Sequence, residues 1–441
     1  MKYVIIIPAG AADAPIDDLD GLTPLEAAEM PNIAALARQG RLGTVQTIPD
    51  GYPADSDIAI LTLFGYDVSN DASGRAGFIA LPLQVNLEKD DWAFCVSFIT
   101  VDPQTGQLIH PTAGYIEPTE ARLLLQSLSD AIGEKLGDET ADIEFFAGHA
   151  EDHLLVDRAG THRYDDLITT SPIDLVGKPI RKFLPHVAGM SRGPSKEAAR
   201  LLNEIMEISA DVFESHEVNQ TRAELGDPVA SRIWLWGEGR RPHLLPFKKR
   251  FPKLRSAIVT TDDLAGGVAQ AAGWKRLDLY EHEKRFAEAL PRGGDLISLP
   301  VMADLARCAE RAIRSDEFDL IAVYVEAADE AAYEGDFAGK IAVMENVDRD
   351  VVGPIWKALT ENTDGKEGAW RLIVVPDVCT LTAEQKRDPR PVPFLLAGAS
   401  VKSILQHEAF NESTAAVADL HIDSGCDFLE YVLYSGLFAR K

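Results

Sequence analysis

Three runs of consecutive apolar residues set the fold class of this chain: YVIII at Tyr3–Ile7, LIAVYV at Leu320–Val325 and LIVV at Leu372–Val375. Each is short, rich in branched side chains and free of polar alternation, the pattern of a strand buried on both faces. Between such runs lie segments of helical period. In TPLEAAEMPNIAALARQG, Thr23 is an N-cap candidate, Pro24 takes the first helical position and Gly40 a C-cap. A long helical pattern runs from Gly339 to Leu359. Strands alternating with helices indicate an α/β fold, a doubly wound and mostly parallel sheet with helices on both faces. Sheets of this kind keep their chemistry at the carboxyl ends of the strands.

The middle of the chain differs. Short strand patterns (WAFCVSFITV, DIEFFAG, HLLVDR, SRIWLWG) sit among helices such as SKEAARLLNEIMEISADVF. A chain of 441 residues also exceeds what one hydrophobic core usually serves. The expected organisation is a discontinuous main domain over 1–86 and 258–441, with residues 87–257 forming an inserted second α/β (α+β) domain. Near the end of the insertion, GEGRRPHLLPFKKRFPKLR is a strongly basic stretch in an acidic chain.

The formal net charge is -27. A field of that sign repels polyanions, so neither nucleic acid nor an anionic membrane is expected as a partner, and any anionic ligand needs a local basic pocket. The basic stretch Arg240 to Arg255 is the candidate surface for an anion or a protein partner. Cys95, Cys308, Cys379 and Cys426 are far apart with no metal-knuckle spacing, which fits a reducing, cytoplasmic setting. The N-terminal apolar run breaks at Pro8, too early for a secretory leader. No stretch approaches the roughly 20 apolar residues that span a bilayer.

The strand ends are where a site is sought. The first strand delivers Ala9, which has no donor, acceptor or charge. PDGYPADSDIAILTLFGYD places Ser56 and Asp57 at the start of a helical run, where a serine is either a nucleophile beside backbone N–H groups or a plain N-cap. Asp329 and Tyr333 are four apart in a helical segment and share a face. Asp377 closes another strand and is followed by Val378. His149 and His153 have i, i+4 spacing in the insertion, a surface pair or metal ligands. None of the ten histidines lies close in sequence to Ser56, Asp329 or Asp377.

Laid end to end, IIIPAGAADAPIDDLDGLTPLEAAEMPNIAALARQGRLG, SDIAILTLFGYD, LVGKPIRKFLP, IWLWGEGRRP, ADEAAYEGDFAGKIAVMENVD and PRPVPFLLAG resemble the cofactor-independent phosphoglycerate mutases of the archaeal type, within the alkaline phosphatase superfamily. The resemblance implies an alkaline-phosphatase-like fold and a glycolytic isomerase. In that family two divalent metals, Mn or Zn, activate a serine that takes the phosphoryl group from 3-phosphoglycerate and returns it to the 2-hydroxyl. Carried over residue by residue, the nucleophile falls on Ser56, and metal-ligand positions fall on Asp329 and Asp377. The remaining ligand positions fall on Ala9, Tyr333, Val378 and Arg387, so one aspartate and every histidine ligand are replaced. On the substrate side Arg75 and Arg222 match the family, while Cys95, Ser97 and Ile173 stand where arginine, asparagine and histidine are expected.

These replacements imply a degenerate or repurposed member, a pseudoenzyme with a degenerate metal site that binds a small anionic metabolite such as a phosphoglycerate, or a protein partner. No cofactor is expected, with two Mn or Zn ions per chain if the site works. The alternatives are an active metal-dependent mutase or related phosphotransferase with a site rebuilt from residues such as His149 and His153, or a metal-free enzyme reusing Tyr333, Arg387 and Cys379. On the carried-over alignment, Ala9, Ser56, Asp329, Tyr333, Asp377, Val378 and Arg387 converge at one edge of the sheet, with Arg387 placed to pair with Asp329 or Asp377.

Overall fold

The computed structural model describes the chain except residues 149–151, 159–161, 188–192, 280–298, 363–368, 402–406 and 436–441. Two compact units are present, one built from Met1–Ala72 with most of the chain after Leu244, the other from Ser73–His243.

The first unit is organised on an eight-stranded sheet. Its strands are β1 (Lys2–Pro8), β2 (Arg41–Val45), β3 (Ser256–Val259), β4 (Lys275–Arg276), β5 (Leu320–Val325) and β6 (Trp370–Val374). A hairpin, β7 (Cys379–Leu381) with β8 (Lys386–Asp388), precedes β9 (Val392–Gly398) and β10 (His421–Ile422). The spatial order is β4-β3-β5-β1-β6-β9-β2-β10, and neighbours are parallel except around β9, which is antiparallel to both β6 and β2. This is the doubly wound, mostly parallel sheet expected from the sequence. Val4 and Ile6 on one face of β1 join a core with Ile33, Leu36, Leu305, Val347 and Leu359, while Ile5 and Ile7 on the other face are equally buried. Burial on both faces is why β1 has no polar alternation.

Register then places the strand ends. Pro8 pairs with Val325 and Ile6 with Val374, so β1, β5 and β6 finish side by side and their following loops leave from one edge. Three helices bear on that edge: α1 (Ser56–Leu63), α2 (Ala327–Tyr333) and α3 (Phe337–Asn346). The β7–β8 hairpin is fastened to the loop after β1 by bridges from Cys379 to Ala11 and Ala12 and by Thr380 N–H donating to Ala12 O at 3.0 Å.

The second unit is an antiparallel five-stranded sheet. Its longest strand, Trp92–Val101, pairs with Leu108–His110, His153–Asp157 and Arg232–Gly239. Helices Pro118–Leu136 and Pro194–Glu214 cover it, packing Leu124, Leu128, Leu202 and Ile205 against Phe94 and Phe98. The unit begins as early as Ser73 because Gly74 and Gly77 lie directly on the backbone of Glu238 and Arg240, where any Cβ would collide.

Candidate functional site

The loop after β1 is shaped by two carboxylates. Ala9 is buried, its N–H donating to Val325 O at 2.8 Å. Gly10 follows at φ +63°, and a Cβ there would overlap Asp329. Its N–H donates to Asp377 Oδ1 at 2.9 Å, and Val378 N–H donates to the same oxygen at 2.7 Å. The second oxygen of Asp377 accepts from Tyr324 OH of β5 at 2.9 Å. Asp377 is 0% exposed. Burial pushes its carboxyl upward, reinforced by the Asp329 charge and opposed by Arg387 and these hydrogen bonds. Burial likewise lifts the Tyr324 phenol well above its ordinary value. Tyr324 is the hydrogen-bond donor of this pair.

Asp329, 8% exposed, stands in the first turn of α2. Its two oxygens are held from opposite strands of the hairpin. Thr380 and Arg387 are cross-strand partners; Thr380 Oγ1 donates to Oδ1 at 2.5 Å and Arg387 Nη2 to Oδ2 at 2.6 Å. The guanidinium also lies 5.5 Å from the Tyr333 ring centre and 3.8 Å from Asp55 Oδ1. Burial by itself disfavours the Arg387 cation, but Asp329, Tyr333 and Asp55 outweigh it and hold its pKa well above the ordinary value.

Ser56 opens α1 and is 2% exposed, and its Oγ has no hydrogen-bond partner among the described residues. All eight residues of α1 are buried. Val378 is 0% exposed and packs in an apolar cluster with Ile48, Ile58, Ala59 and Val68. The structure thus joins Gly10, Asp329, Asp377, Tyr324 and Arg387 by direct contacts, places Tyr333 under the guanidinium, and sets Val378 against the helix that Ser56 opens.

Behind these residues lies a polar cluster that the sequence reading did not single out. Lys340 on α3 is wholly buried and donates to Asp13 Oδ2 at 2.8 Å and Thr380 O at 2.7 Å. Asp13 also accepts from Thr382 Oγ1 at 2.5 Å. Glu412 accepts from Asp13 N–H at 2.8 Å and Thr23 Oγ1 at 2.6 Å, and burial lifts its carboxyl to about 7. The available signal was Lys340 itself, a lysine on the same helical stripe as Val343, Met344 and Val347. Cys379 is buried in the hairpin, and burial pushes its thiol up to about 12, far from a reactive thiolate.

In the second unit Arg222 is buried, and all three guanidinium nitrogens are engaged inside that unit. Nε donates to Pro228 O, Nη1 to Glu120 at 2.8 Å and Nη2 to Ala113 O. Arg75 is half-buried over the Trp236 ring at 5.1 Å, and Trp236 Nε1 donates to Ser97 Oγ at 2.9 Å. Cys95 is buried and Ile173 half-buried. His149 lies outside the described residues; His153 is buried, its Nδ1 accepting from Gly148 N–H. Within the basic stretch, Arg255 pairs with Asp319 at 2.8 Å, Arg250 stacks near Tyr66 and Phe251, and Arg240 stacks over Trp92. These three cations of the stretch are committed to aromatic or acidic neighbours.

Among the described residues, no group of three or more His, Cys, Asp or Glu side chains is arranged to hold a metal ion, and no helix is long and apolar enough to cross a membrane. The family model described as 2,3-bisphosphoglycerate-independent phosphoglycerate mutase matches residues 37–219. A mutase of that name from Methanothermobacter thermautotrophicus is 35% identical over 420 residues, 95% of this chain and 94% of that protein. Another from Methanothrix thermoacetophila is 32% identical, covering 98% of this chain and 100% of that one. Among solved structures, a Pyrococcus horikoshii protein superposes with a TM-score of 0.70 at 24% identity, covering 100% of this chain and 98% of that one. The cofactor-independent phosphoglycerate mutase of Thermoplasma acidophilum gives 0.54 at 20% identity, covering 98% and 99%. With the shared fold and end-to-end identity above 30%, this chain belongs to the 2,3-bisphosphoglycerate-independent phosphoglycerate mutase family.

Proposed function

We propose that this member of the family does not perform two-metal phosphoryl transfer and is a degenerate or repurposed protein on the mutase scaffold. The observation that carries the reading is the 2.6 Å pair between Arg387 and Asp329. A transition metal or zinc site needs several N, O or S donors free to face the ion. Here one Asp329 oxygen accepts from Thr380 and the other from a guanidinium, while Asp377 is engaged by three donors. Val378 belongs to an apolar cluster, and Ala9 offers no donor. The residues present do not fit two Mn or Zn ions. Without such an activator Ser56 is a neutral hydroxyl, a poor nucleophile for phosphoryl transfer.

On this reading the ligand is a small anionic metabolite such as a phosphoglycerate, or a protein partner, in the cytoplasm. The half-buried Arg75 on Trp236 is the candidate anion contact, and Arg222 is an internal strut. The strongly negative charge argues against nucleic acid and anionic membrane. The test is metal content by mass spectrometry after incubation with Mn and Zn and desalting, followed by a metal-supplemented mutase assay on the wild type and Ser56→Ala. The expected result is less than one metal per chain and no turnover. Two metals per chain with Ser56-dependent turnover would overturn the proposal and establish an active mutase with a rebuilt site.

A further inference from the structure

We propose that Arg387 is a built-in counter-ion whose charge, rather than its bulk, holds the Asp329 edge of the sheet, so that this edge keeps its structure with no divalent cation bound. The inference deepens the functional reading above, resting on it for the view that no metal supplies this charge. Asp329 and Asp377 are 8% and 0% exposed, and both approach Gly10, one through its backbone N–H and the other through close packing. Two buried carboxylates this near one another are costly unless a cation or a set of donors compensates them. Asp377 has its donors. Asp329 has one hydroxyl and Arg387.

The guanidinium is delivered by fold, not by chance of rotamer. Cross-strand pairing of Thr380 with Arg387 aims both side chains at the same carboxylate, so the hairpin closes on Asp329 like a clasp. Gln385, at φ +51° in the turn between the strands, donates to Tyr333 O at 2.8 Å and ties the hairpin to the end of α2. Tyr333 then lies against the guanidinium face, and Asp55 faces its outer edge. With Asp55, Asp329 and Asp377 gathered about a single guanidinium, the balance of charge is negative, which suits an internal cation and not a receptor for free anions.

The experiment is thermal unfolding of the full chain with and without EDTA, Mn and Zn, compared across Arg387→Met, which keeps length without charge, and Arg387→Ala, which leaves space. The wild-type melting temperature is expected to be unchanged by chelator or metal. Both variants should melt several degrees lower, and millimolar guanidinium or Mn should restore Arg387→Ala toward the wild type. If the single variants do not fold, Asp329→Asn combined with Arg387→Met removes both charges and should fold. The proposal is overturned if Arg387→Met melts like the wild type, if no cation restores Arg387→Ala, if wild-type melting follows Mn or Zn, or if the charge-free double variant fails to fold. Mutase turnover with metal-insensitive melting would sink the functional reading alone; metal-sensitive melting without turnover would sink this one alone.

Discussion

Single residues at this edge show how a site can be half legible. The run into Ala9 and the aspartates at strand ends were visible because strand ends in α/β sheets are few and their next residues can be counted off. The polar cluster around Lys340 was not, because the lysine stands out on its apolar stripe but its partners, Asp13 and Thr380, are far away in the chain. Ser56 Oγ is buried with no partner among the described residues, and removing such a group relieves a desolvation cost. Ser56→Ala is therefore expected to leave stability unchanged or raise it by up to about 1 kcal/mol in urea denaturation; a loss beyond that would show the hydroxyl to be bonded. Two titrating groups act in one direction. Burial lifts Glu412 from 4.5 to about 7, against hydrogen bonds from Thr23 and Asp13, while the Asp157 hydrogen bond raises His162 above 6.5 despite burial. Each holds its proton more tightly folded than unfolded, so its contribution is complete below the unfolded value and lost as pH rises through the folded one. The urea midpoint should fall from about pH 5 to about pH 8, and Glu412→Gln should flatten the lower part of that fall. A midpoint that climbs across this window would contradict the assignment.

At the scale of elements, the long buried strands were readable and the short hairpin was not. β1, β5 and β6 advertise themselves by unbroken apolar runs. The β7 and β8 strands are three residues each, too short for alternation to register, and their meaning lies in which residues face each other. Helix α1 is also opaque to pattern, since SDIAILTL is buried all round and has no polar face to mark its phase. One close element-to-element approach at the site is the β1 exit loop on α2. Gly10→Ala adds a Cβ into Asp329 at a φ of +63° and is expected to cost at least about 2 kcal/mol. Gly21→Ala, at φ +80° with open space around it, should cost only about 1 kcal/mol. Equal costs for the two in denaturant melts would mean that the close approach to Asp329 is not real.

For the whole molecule, composition carried the charge, the alternation of apolar runs with helical segments carried the fold class, and topology needed the paired strands. An eight-stranded order with β9 reversed between β6 and β2 follows from long-range register that no local pattern encodes. The net charge of -27 has its own consequence: like-charge repulsion weakens the compact state, and salt screens it. Melting temperature should rise from low salt to a few hundred millimolar NaCl; a fall would mean that attractive surface pairs dominate. The distance along the chain between the groups that meet at this edge bears on how the protein comes into being. Gly10 and Asp377 are 367 residues apart, and both sheet neighbours of β1 are made after residue 319. The apolar Tyr3–Ile7 segment therefore leaves the ribosome long before anything it pairs with. Ser73–His243 carries all five strands of its own sheet and is complete far earlier. Synthesis order sets the interrupting unit to fold first, while the first strand waits, sticky and unpaired, for the last third of the chain.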